Sequence, residues 1–377
     1  MSSTSILTAW SDQVNGRDTV RVAVSSLTDL PRVAAGAGRM ISDVSMTPAA
    51  DRRADGSVAV AWSEYNQATR RFEVHLGGRN GKGAALTERV VFATGLDQMS
   101  PVVSTGAGRT MTLWTEGTTE PKVRMTIVDE ASKAVIATLP LAAGMTPSVV
   151  FDGKEWLAAW RSLSGVIRFA VINRDGNATA SGAMPATPAI FQSAPAVAWS
   201  GKTFFLTWHE AVAAGAGLLP GERIEVATID AAGVTSAPLT LDNADSALAP
   251  PSIAGSGDRV LVSWGTPLHS LRQALFDGGG KQLGSVIDFA WPHAVSRTRT
   301  HAMAGGFATL AGSRLALTSS DGRALDAMNV PAVADGGDFA ADDANRVTFV
   351  YSRSAGSGSI ATFAQTIGLP RRHASDR

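Results

Sequence analysis

Short apolar segments separated by turn residues run along the whole chain. They hold four to seven residues, are rich in Val, Ile, Phe and Thr, and are joined by Asp-Gly and similar turns, which is typical of β-hairpins. The 38 Gly and 17 Pro residues interrupt every stretch long enough for a helix. The pattern therefore predicts an all-β protein.

An internal repeat of about fifty residues organises these segments. Six segments end in Trp at spacings of 52, 52, 46, 48 and 56 residues: Trp10, Trp62, Trp114, Trp160, Trp208 and Trp264. In five copies a Pro precedes the Trp by 13 or 14 positions: Pro48, Pro101, Pro147, Pro195 and Pro251. Two weaker copies follow near Ala311 and Tyr351, so the chain holds eight copies.

Each copy contains four segments, and the Trp segment is apolar on both of its faces, as in Leu157–Trp160. A sheet covered on both sides explains this composition, and radial stacking of four-stranded blades around a channel provides it. We predict a single β-propeller over residues 1–369, with eight blades of which the first and last are incomplete, and a disordered polar tail over residues 370–377. Seven blades, or a pair of β-sandwiches, are the alternatives.

The Pro of each copy is expected at the first residue of an inner strand, where a missing N–H is tolerated. The Met residues that lie two positions before Pro, namely Met46, Met99 and Met145, should then occupy equivalent mouths of the central channel. The first copy begins at its second strand, which leaves open that the natural chain starts upstream.

Charge and composition narrow the functional classes. The 33 basic and 33 acidic side chains balance, so nucleic acid is not expected as a partner. The absence of Cys excludes disulfides and thiolate metal sites. We find neither a signal peptide in the first thirty residues nor an apolar run of the ~18 residues that a membrane helix needs. We expect a monomer without cofactor or metal.

The P-x13-W-x-[DE] copies resemble the propeller repeats of bacterial proteins of unassigned function, which are often secreted or lipid-anchored. The resemblance implies a propeller fold over nearly the whole chain and an extracellular or periplasmic location. It implies no catalytic residue. The spacing and motifs of WD40, kelch and Asp-box propellers are absent from the sequence.

Two sets of repeated residues are candidates for ligand binding. The register Trp residues are interpreted as fillers between blades, with sugar stacking as the alternative, whereas Trp156, Trp199 and Trp291 lie outside the register and are better candidates for exposed rings. Carboxylates follow the Trp by two positions in four copies: Asp12, Glu64, Glu116 and Glu210. They either bind a cation or amine, or cap turns and pair with Arg.

The segment "FAWPHAVSRTRTHAMAGG", residues 289–306, breaks the repeat. It is either a decayed copy or a ligand site, with these candidate residues: Trp291, His293, Arg297, Arg299 and His301. Arg297, Arg299 and His301 alternate and so share one side of a strand, where they can hold a carboxylate or sulfate.

Two functions follow from these patterns. The first is a non-enzymatic scaffold that binds a glycan or a protein, since the sequence has no nucleophile, metal or phosphate motif. The second is a lyase-like or hydrolase-like enzyme that acts on an acidic glycan, with His293 or His301 as base and Arg297 and Arg299 against the uronate carboxylate.

Overall fold

The computed structural model of the chain describes these residues: 5–14, 17–26, 39–42, 45–53, 58–66, 68–79, 85–92, 94–185, 189–212, 221–244, 250–266, 270–292, 295, 298–303, 305–312, 314–329, 338–341, 346–354 and 360–368. For the two sheets nearest the ends of the chain, and at scattered positions elsewhere, only the backbone is described. The predicted tail over 370–377 lies outside the described residues.

Within these residues the secondary structure contains no helix, and the strands form eight antiparallel sheets in chain order. Sheet 1 contains β1 (Ser5–Val14), β2 (Arg17–Ser26) and β3 (Arg39–Ser42). Sheet 2 contains β4 (Ser45–Arg52), β5 (Val58–Asn66), β6 (Arg71–Arg79) and β7 (Ala85–Phe92). Sheet 3 contains β8 (Gln98–Gly106), β9 (Arg109–Glu116), β10 (Lys122–Asp129) and β11 (Val135–Ala143). Sheet 4 contains β12 (Met145–Phe151), β13 (Trp156–Arg161), β14 (Ile167–Ile172) and β15 (Ala178–Ala183).

The second half of the chain continues the series. Sheet 5 contains β16 (Ala189–Gln192), β17 (Ala196–Trp199), β18 (Phe204–Val212), β19 (Gly221–Ile229) and β20 (Leu239–Ala244); β16 and β17 both pair with β18 and divide the inner strand in two. Sheet 6 contains β21 (Ser252–Ser256), β22 (Arg259–Thr266), β23 (Ser270–Asp277) and β24 (Ile287–Ala290). Sheet 7 contains β25 (Thr298–Met303), β26 (Gly306–Ala311), β27 (Arg314–Ser319) and β28 (Ala324–Asn329). Sheet 8 contains β29 (Asp338–Ala341), β30 (Arg346–Ser354) and β31 (Ile360–Gly368).

The first strands of successive sheets contact one another and surround the centre of the molecule. The ring closes where β1 contacts both β4 and β29. This arrangement confirms the predicted all-β propeller. A seven-blade ring would require that the seventh copy of the repeat is not a blade. In the structure this copy forms a four-stranded sheet of its own, sheet 7.

In three sheets a β-bulge lies opposite the register Trp. In sheet 3 the register slips between Met99 and Val102, so that two residues of β8, Ser100 and Pro101, lie opposite Trp114. Ser100 has a φ of 53°, a left-handed conformation that non-glycine residues rarely adopt outside such irregularities. Sheets 2 and 4 repeat the slip opposite their own Trp residues, after Met46 and Met145. The three Met residues therefore hold equivalent positions in their strands, whereas their place at the mouths of the central channel stays a prediction. Pro48, Pro101 and Pro147 lie inside β4, β8 and β12, at the bulge and not at the first residue of the strand, which corrects the expectation from sequence.

The core lies between sheets. Trp114, Trp160, Trp208 and Trp264 are buried, and each packs with apolar residues of its own sheet and of the preceding sheet. Burying such a ring contributes on the order of 2 kcal/mol or more. The interpretation of the register Trp as a filler between blades is confirmed for these four; the side chains of Trp10 and Trp62 lie outside the described residues.

Candidate functional site

The upper face of the ring is the end of each sheet at which its first strand begins and its second strand ends. The post-Trp carboxylates and the turn between the second and third strands lie there. Candidate chemistry from several sheets therefore meets at this face.

Two of the four post-Trp carboxylates have intramolecular partners at the upper face. Glu116 is 1% exposed, accepts a 2.7 Å hydrogen bond from Nε of Arg124 and another from Thr94. Glu210 is buried and accepts from Nε2 of Gln192 at 3.1 Å and from Nε1 of Trp208 at 3.2 Å. These contacts favour the structural alternative for both residues. The side chains of Asp12 and Glu64 lie outside the described residues, and their role stays a prediction.

The residue opposite the register Trp on the following strand is ionisable in each sheet that has a register Trp. Six sheets supply it, in chain order: Arg21, His75, Arg124, Arg168, Glu225 and Arg272. In sheet 6, Nη1 of Arg272 donates to both carboxylate oxygens of Asp242, at 2.8 and 2.9 Å. Burial lowers the pKa of Arg272, but the hydrogen bonds and charge of Asp242 outweigh burial and raise it.

In sheet 5 the residue opposite the register Trp is acidic, Glu225, where sheets 3, 4 and 6 have an arginine. Glu225 is buried, and Oγ1 of Thr240 donates to its Oε1 at 2.7 Å. Burial raises the pKa of Glu225 from its ordinary 4.5 to about 7; the hydrogen bond from Thr240 and the charge of Arg223 oppose the rise, whereas the charge of Glu210 adds to it. Glu225 therefore holds a proton at slightly acidic pH.

Trp291 is not an exposed ring, which corrects the expectation from sequence. It is 6% exposed and donates from Nε1 to the carbonyl oxygen of Ala311 at 3.1 Å. Ala311 is the position at which the seventh copy lacks its Trp, and Trp291 packs in the same apolar cluster. The guanidinium of Arg314 covers the ring at 4.7 Å from its centroid. Trp291 thus fills the space that the missing register Trp leaves.

The other residues of segment 289–306 are only partly described. Arg299 and His301 lie two positions apart on the inner strand β25 and are half-buried, so they share one side of that strand as predicted. His293 and Arg297 lie outside the described residues. Trp156 is fully buried and Trp199 is half-buried, so neither is the exposed ring expected from its place outside the register.

An exposed aromatic ring does occur at the upper face, between sheets 4 and 5. Phe191 is 45% exposed, the Cζ of Arg161 lies 5.1 Å from its ring centroid, and the centroid of the His209 ring lies 6.3 Å from it. Nε2 of His209 is 2.9 Å from Oε2 of Glu222. We call these four residues, Arg161, Phe191, His209 and Glu222, the Phe191 patch.

The Phe191 patch is anchored to the scaffold beneath it. Nη1 of Arg161 donates to the Gln192 carbonyl oxygen at 3.2 Å, and the Gln192 side chain links Glu210 to the backbone N–H of Ile167 in sheet 4. The sequence singles out His209 only through the pair "HE", and it gives no signal for Phe191, because Phe191 stands at an ordinary apolar position of a first strand. Phe191 lies on β16, the first of the two parts of the divided inner strand.

Among the described residues no group of three or more His, Cys, Asp or Glu side chains is placed to hold a metal ion. The same part of the chain contains no helix long and apolar enough to cross a membrane.

No protein-family model matches the chain, and no curated protein matches it. The resemblance to the bacterial P-x13-W repeat proteins therefore stays a prediction.

Solved structures are similar at the level of fold. AztD from Citrobacter koseri, in its apo form, aligns with a TM-score of 0.54 and 12% identity over 98% of this chain and 96% of its own. The β-propeller domain of the trilobed protease from Pyrococcus furiosus, described as having an open velcro topology, aligns with a TM-score of 0.51 and 10% identity over 87% and 95%.

An α-L-arabinanase from Penicillium chrysogenum complexed with arabinobiose aligns with a TM-score of 0.50 and 10% identity over 85% of this chain and 93% of its own. The chain also matches a prolyl endopeptidase, but it spans 47% of that protein's length. At these identities the likeness shows the fold alone: the chain is a β-propeller.

Proposed function

We propose that this propeller is a non-enzymatic binding scaffold that recognises a glycan at its upper face through the Phe191 patch. The observation that carries the proposal is the exposed Phe191 ring between Arg161 and the His209–Glu222 pair. A flat apolar ring flanked by fixed hydrogen-bonding groups fits a sugar, which presents an apolar C–H face and a rim of hydroxyls.

The exposure of Phe191 supports a role in ligand binding and not in the packing of the core. A large apolar side chain that serves the core is buried, as the four described register Trp residues are, whereas Phe191 lies near the upper face with almost half of its surface free. Its polar neighbours are held by contacts within the fold, which limits the entropy lost when a ligand binds. The arabinanase with its bound arabinobiose supplies only an analogy of fold.

Binding is tested by isothermal titration of the protein with arabino-oligosaccharides and with oligogalacturonates. Phe191→Ala should weaken binding at least about tenfold, because ring stacking and its buried area are lost, and it should leave the melting temperature nearly unchanged. Val234→Ala is the matched control, since Val234 is another exposed apolar residue in the β19–β20 turn, at the opposite end of sheet 5. Equal affinity of Phe191→Ala and wild type contradicts the proposal.

The enzyme on an acidic glycan is the second candidate, and the shared side of Arg299 and His301 on β25 favours it. Its test is the ultraviolet absorbance of unsaturated product after incubation with polyuronate. Activity that disappears in His301→Ala and Arg299→Ala supports the enzyme, whereas an unchanged absorbance in the wild type removes the lyase reaction.

A further inference from the structure

Sheet 6 contains a carboxylate clamp built from its register Trp and the Arg opposite it. Nε1 of Trp264 donates to Oδ2 of Asp242 at 2.7 Å, and Nη1 of Arg272 donates to both Asp242 oxygens. Asp242 is 9% exposed and comes from β20, the outer strand of the preceding sheet. One indole N–H and one guanidinium thus hold a carboxylate at the upper face between two sheets.

Sheet 4 repeats both donors of this clamp. Arg168 lies opposite Trp160 in the register of β13 and β14, as Arg272 lies opposite Trp264. Trp160 is 4% exposed, and its indole nitrogen has no hydrogen-bond acceptor among the described residues. Arg168 is exposed and makes no hydrogen bond or ion pair within the part of the chain that the structure describes. A buried donor without an acceptor destabilises the fold, because the hydrogen bond it makes to water in the unfolded chain is not replaced.

The acid of the clamp is replaced by alanine in sheet 3. Asp242 pairs with Ile224, the residue before the one opposite Trp208. The corresponding residue of β11 is Ala142, which pairs with Val123 and packs against the apolar cluster that contains Trp160. The position of Asp242 beside Trp264 is therefore taken by Ala142 beside Trp160.

Other carboxylates of the repeat do not take over this role in sheet 4. The post-Trp position that is Glu116 in sheet 3 and Glu210 in sheet 5 is Ser162 in sheet 4, and its hydroxyl is used within its own turn, where it bonds the carbonyl of Val166 at 2.7 Å. Gly144 lies at the edge of the indole, where a Cβ would be 3.2 Å from Nε1 of Trp160. Small residues thus border the indole N–H.

We propose that Trp160 and Arg168 bind a carboxylate of the ligand, an acidic sugar of the uronate type, at the place where sheet 6 holds Asp242. The acidic sugar rests on the proposed glycan function, and it extends that function by naming the chemistry of one subsite. A charge-assisted hydrogen bond from Arg168 and the bond from the buried indole both favour an ionised planar group over a neutral hydroxyl.

The same sheet presents a second arginine to the ligand. Arg161, in the Phe191 patch, lies directly after Trp160 and so points to the opposite side of sheet 4 from Trp160 and Arg168. A glycan that crosses the upper end of sheet 4 meets the Phe191 patch on one side and the Trp160–Arg168 donors on the other. This placement fits an oligosaccharide rather than a single sugar.

The test is isothermal titration with trigalacturonate, its methyl ester and a hexa-aspartate peptide. We expect Arg168→Gln to weaken trigalacturonate binding at least tenfold, to the affinity of the methyl ester. Ala142→Asp should abolish the preference for the acid over the ester, because its own carboxylate occupies the donors. Arg323→Gln is the control, since Arg323 is an exposed arginine in the turn between β27 and β28, at the opposite end of its sheet.

The outcomes separate the two proposals. Equal binding of acid and ester by the wild type, with loss in Phe191→Ala, supports glycan binding and overturns the carboxylate site. Binding of hexa-aspartate but of neither sugar overturns the acidic sugar and the glycan function together. Unchanged affinity of Arg168→Gln for trigalacturonate overturns the site, even where Ala142→Asp fails to fold.

Discussion

Sheets 4 and 6 present the same two donors and differ in what those donors hold. In sheet 6, Trp264 and Arg272 hold Asp242, whereas in sheet 4, Ala142 packs against the apolar cluster that contains Trp160, and Arg168 lies opposite Trp160. The repeat determines the donors because both stand in fixed register to the Trp strand. The acceptor comes from an outer strand of the preceding sheet, so its residue type varies independently of the donors. With Asp at this position the donors stabilise the fold, and with Ala they are left for a ligand.

The largest effect is expected in sheet 6, from Asp242→Ala. Removal of the carboxylate leaves the Trp264 N–H and the Arg272 guanidinium without their main acceptor, which should cost about 3 kcal/mol of unfolding free energy. Chemical denaturation measures it. Asp288→Ala is the control, because Asp288 also bonds Arg272, at 3.2 Å, but is exposed; an equal loss in both variants contradicts the clamp.

Sheet 5 offers the reverse case, with Glu225 where sheets 4 and 6 have arginine. The folded protein keeps the Glu225 proton up to a pKa of about 7, whereas the unfolded chain releases it near 4.5. The free energy of unfolding is therefore highest below pH 4.5, where Glu225 is protonated in both states. It falls as the pH rises from there to about 7, because the unfolded chain releases the proton before the folded protein does. Urea unfolding between pH 4 and pH 8 measures this dependence, and the free energy of unfolding of Glu225→Gln should not fall over that range.

At pH 8 we expect Glu225→Gln to be more stable than the wild type by on the order of 2 kcal/mol. Glu120→Gln is the control, since Glu120 is exposed and its replacement should leave the pH profile unchanged. A Glu225→Gln profile that falls as steeply as the wild type would refute the assignment of the proton to Glu225.

A smaller effect distinguishes the two indole rings. Trp264→Phe loses the hydrogen bond to Asp242 as well as buried area, whereas Trp160→Phe loses area alone. We expect Trp264→Phe to cost about 1.5 kcal/mol more, the usual value of a hydrogen bond to a charged group. Thermal unfolding of the two variants measures the difference, and equal losses argue against distinct roles for the two N–H groups.

The smallest change is a gain in stability. Ala142→Asp should reproduce the sheet 6 clamp in sheet 4 and stabilise the protein by about 1 kcal/mol. The measurement is the urea midpoint, and the matched change in Ala143→Asp, one residue further along β11 and exposed, should give no gain. A destabilised Ala142→Asp would mean that the donors do not converge on that position.

The repeat predicts the scaffold well because it reports local, periodic constraints. The Trp register, the four segments and the Pro offset follow from strand length and inter-sheet packing, because the first two strands of each copy form a hairpin of nearly constant length. The departure of segment 289–306 from the repeat predicts either a decayed copy or a ligand site. In the structure Trp291 instead substitutes for the Trp that the seventh copy lacks at Ala311.

The candidate site was not predictable in the same way. Ala142 and Asp242 can be recognised as equivalent positions only when the pairing of the third and outer strands is known. Bulges in both β10–β11 and β19–β20 shift that pairing independently of the Trp positions, so the sequence repeat does not show it. Phe191 is exposed on β16, one part of the divided inner strand of sheet 5, and the apolar pattern shows neither the division nor the exposure of the ring. Contacts between consecutive sheets, rather than patterns within one copy, determine the site.

The most direct test of the carboxylate position is the indole N–H resonance of Trp160 in a ¹H–¹⁵N correlation spectrum, assigned with Trp160→Phe and followed during titration with trigalacturonate. We predict a downfield shift of this resonance on binding, absent with the methyl ester and absent in Arg168→Gln, while the Trp264 resonance stays in place. A Trp160 resonance that does not move while trigalacturonate binds would contradict the central claim that sheet 4 takes its carboxylate from the ligand.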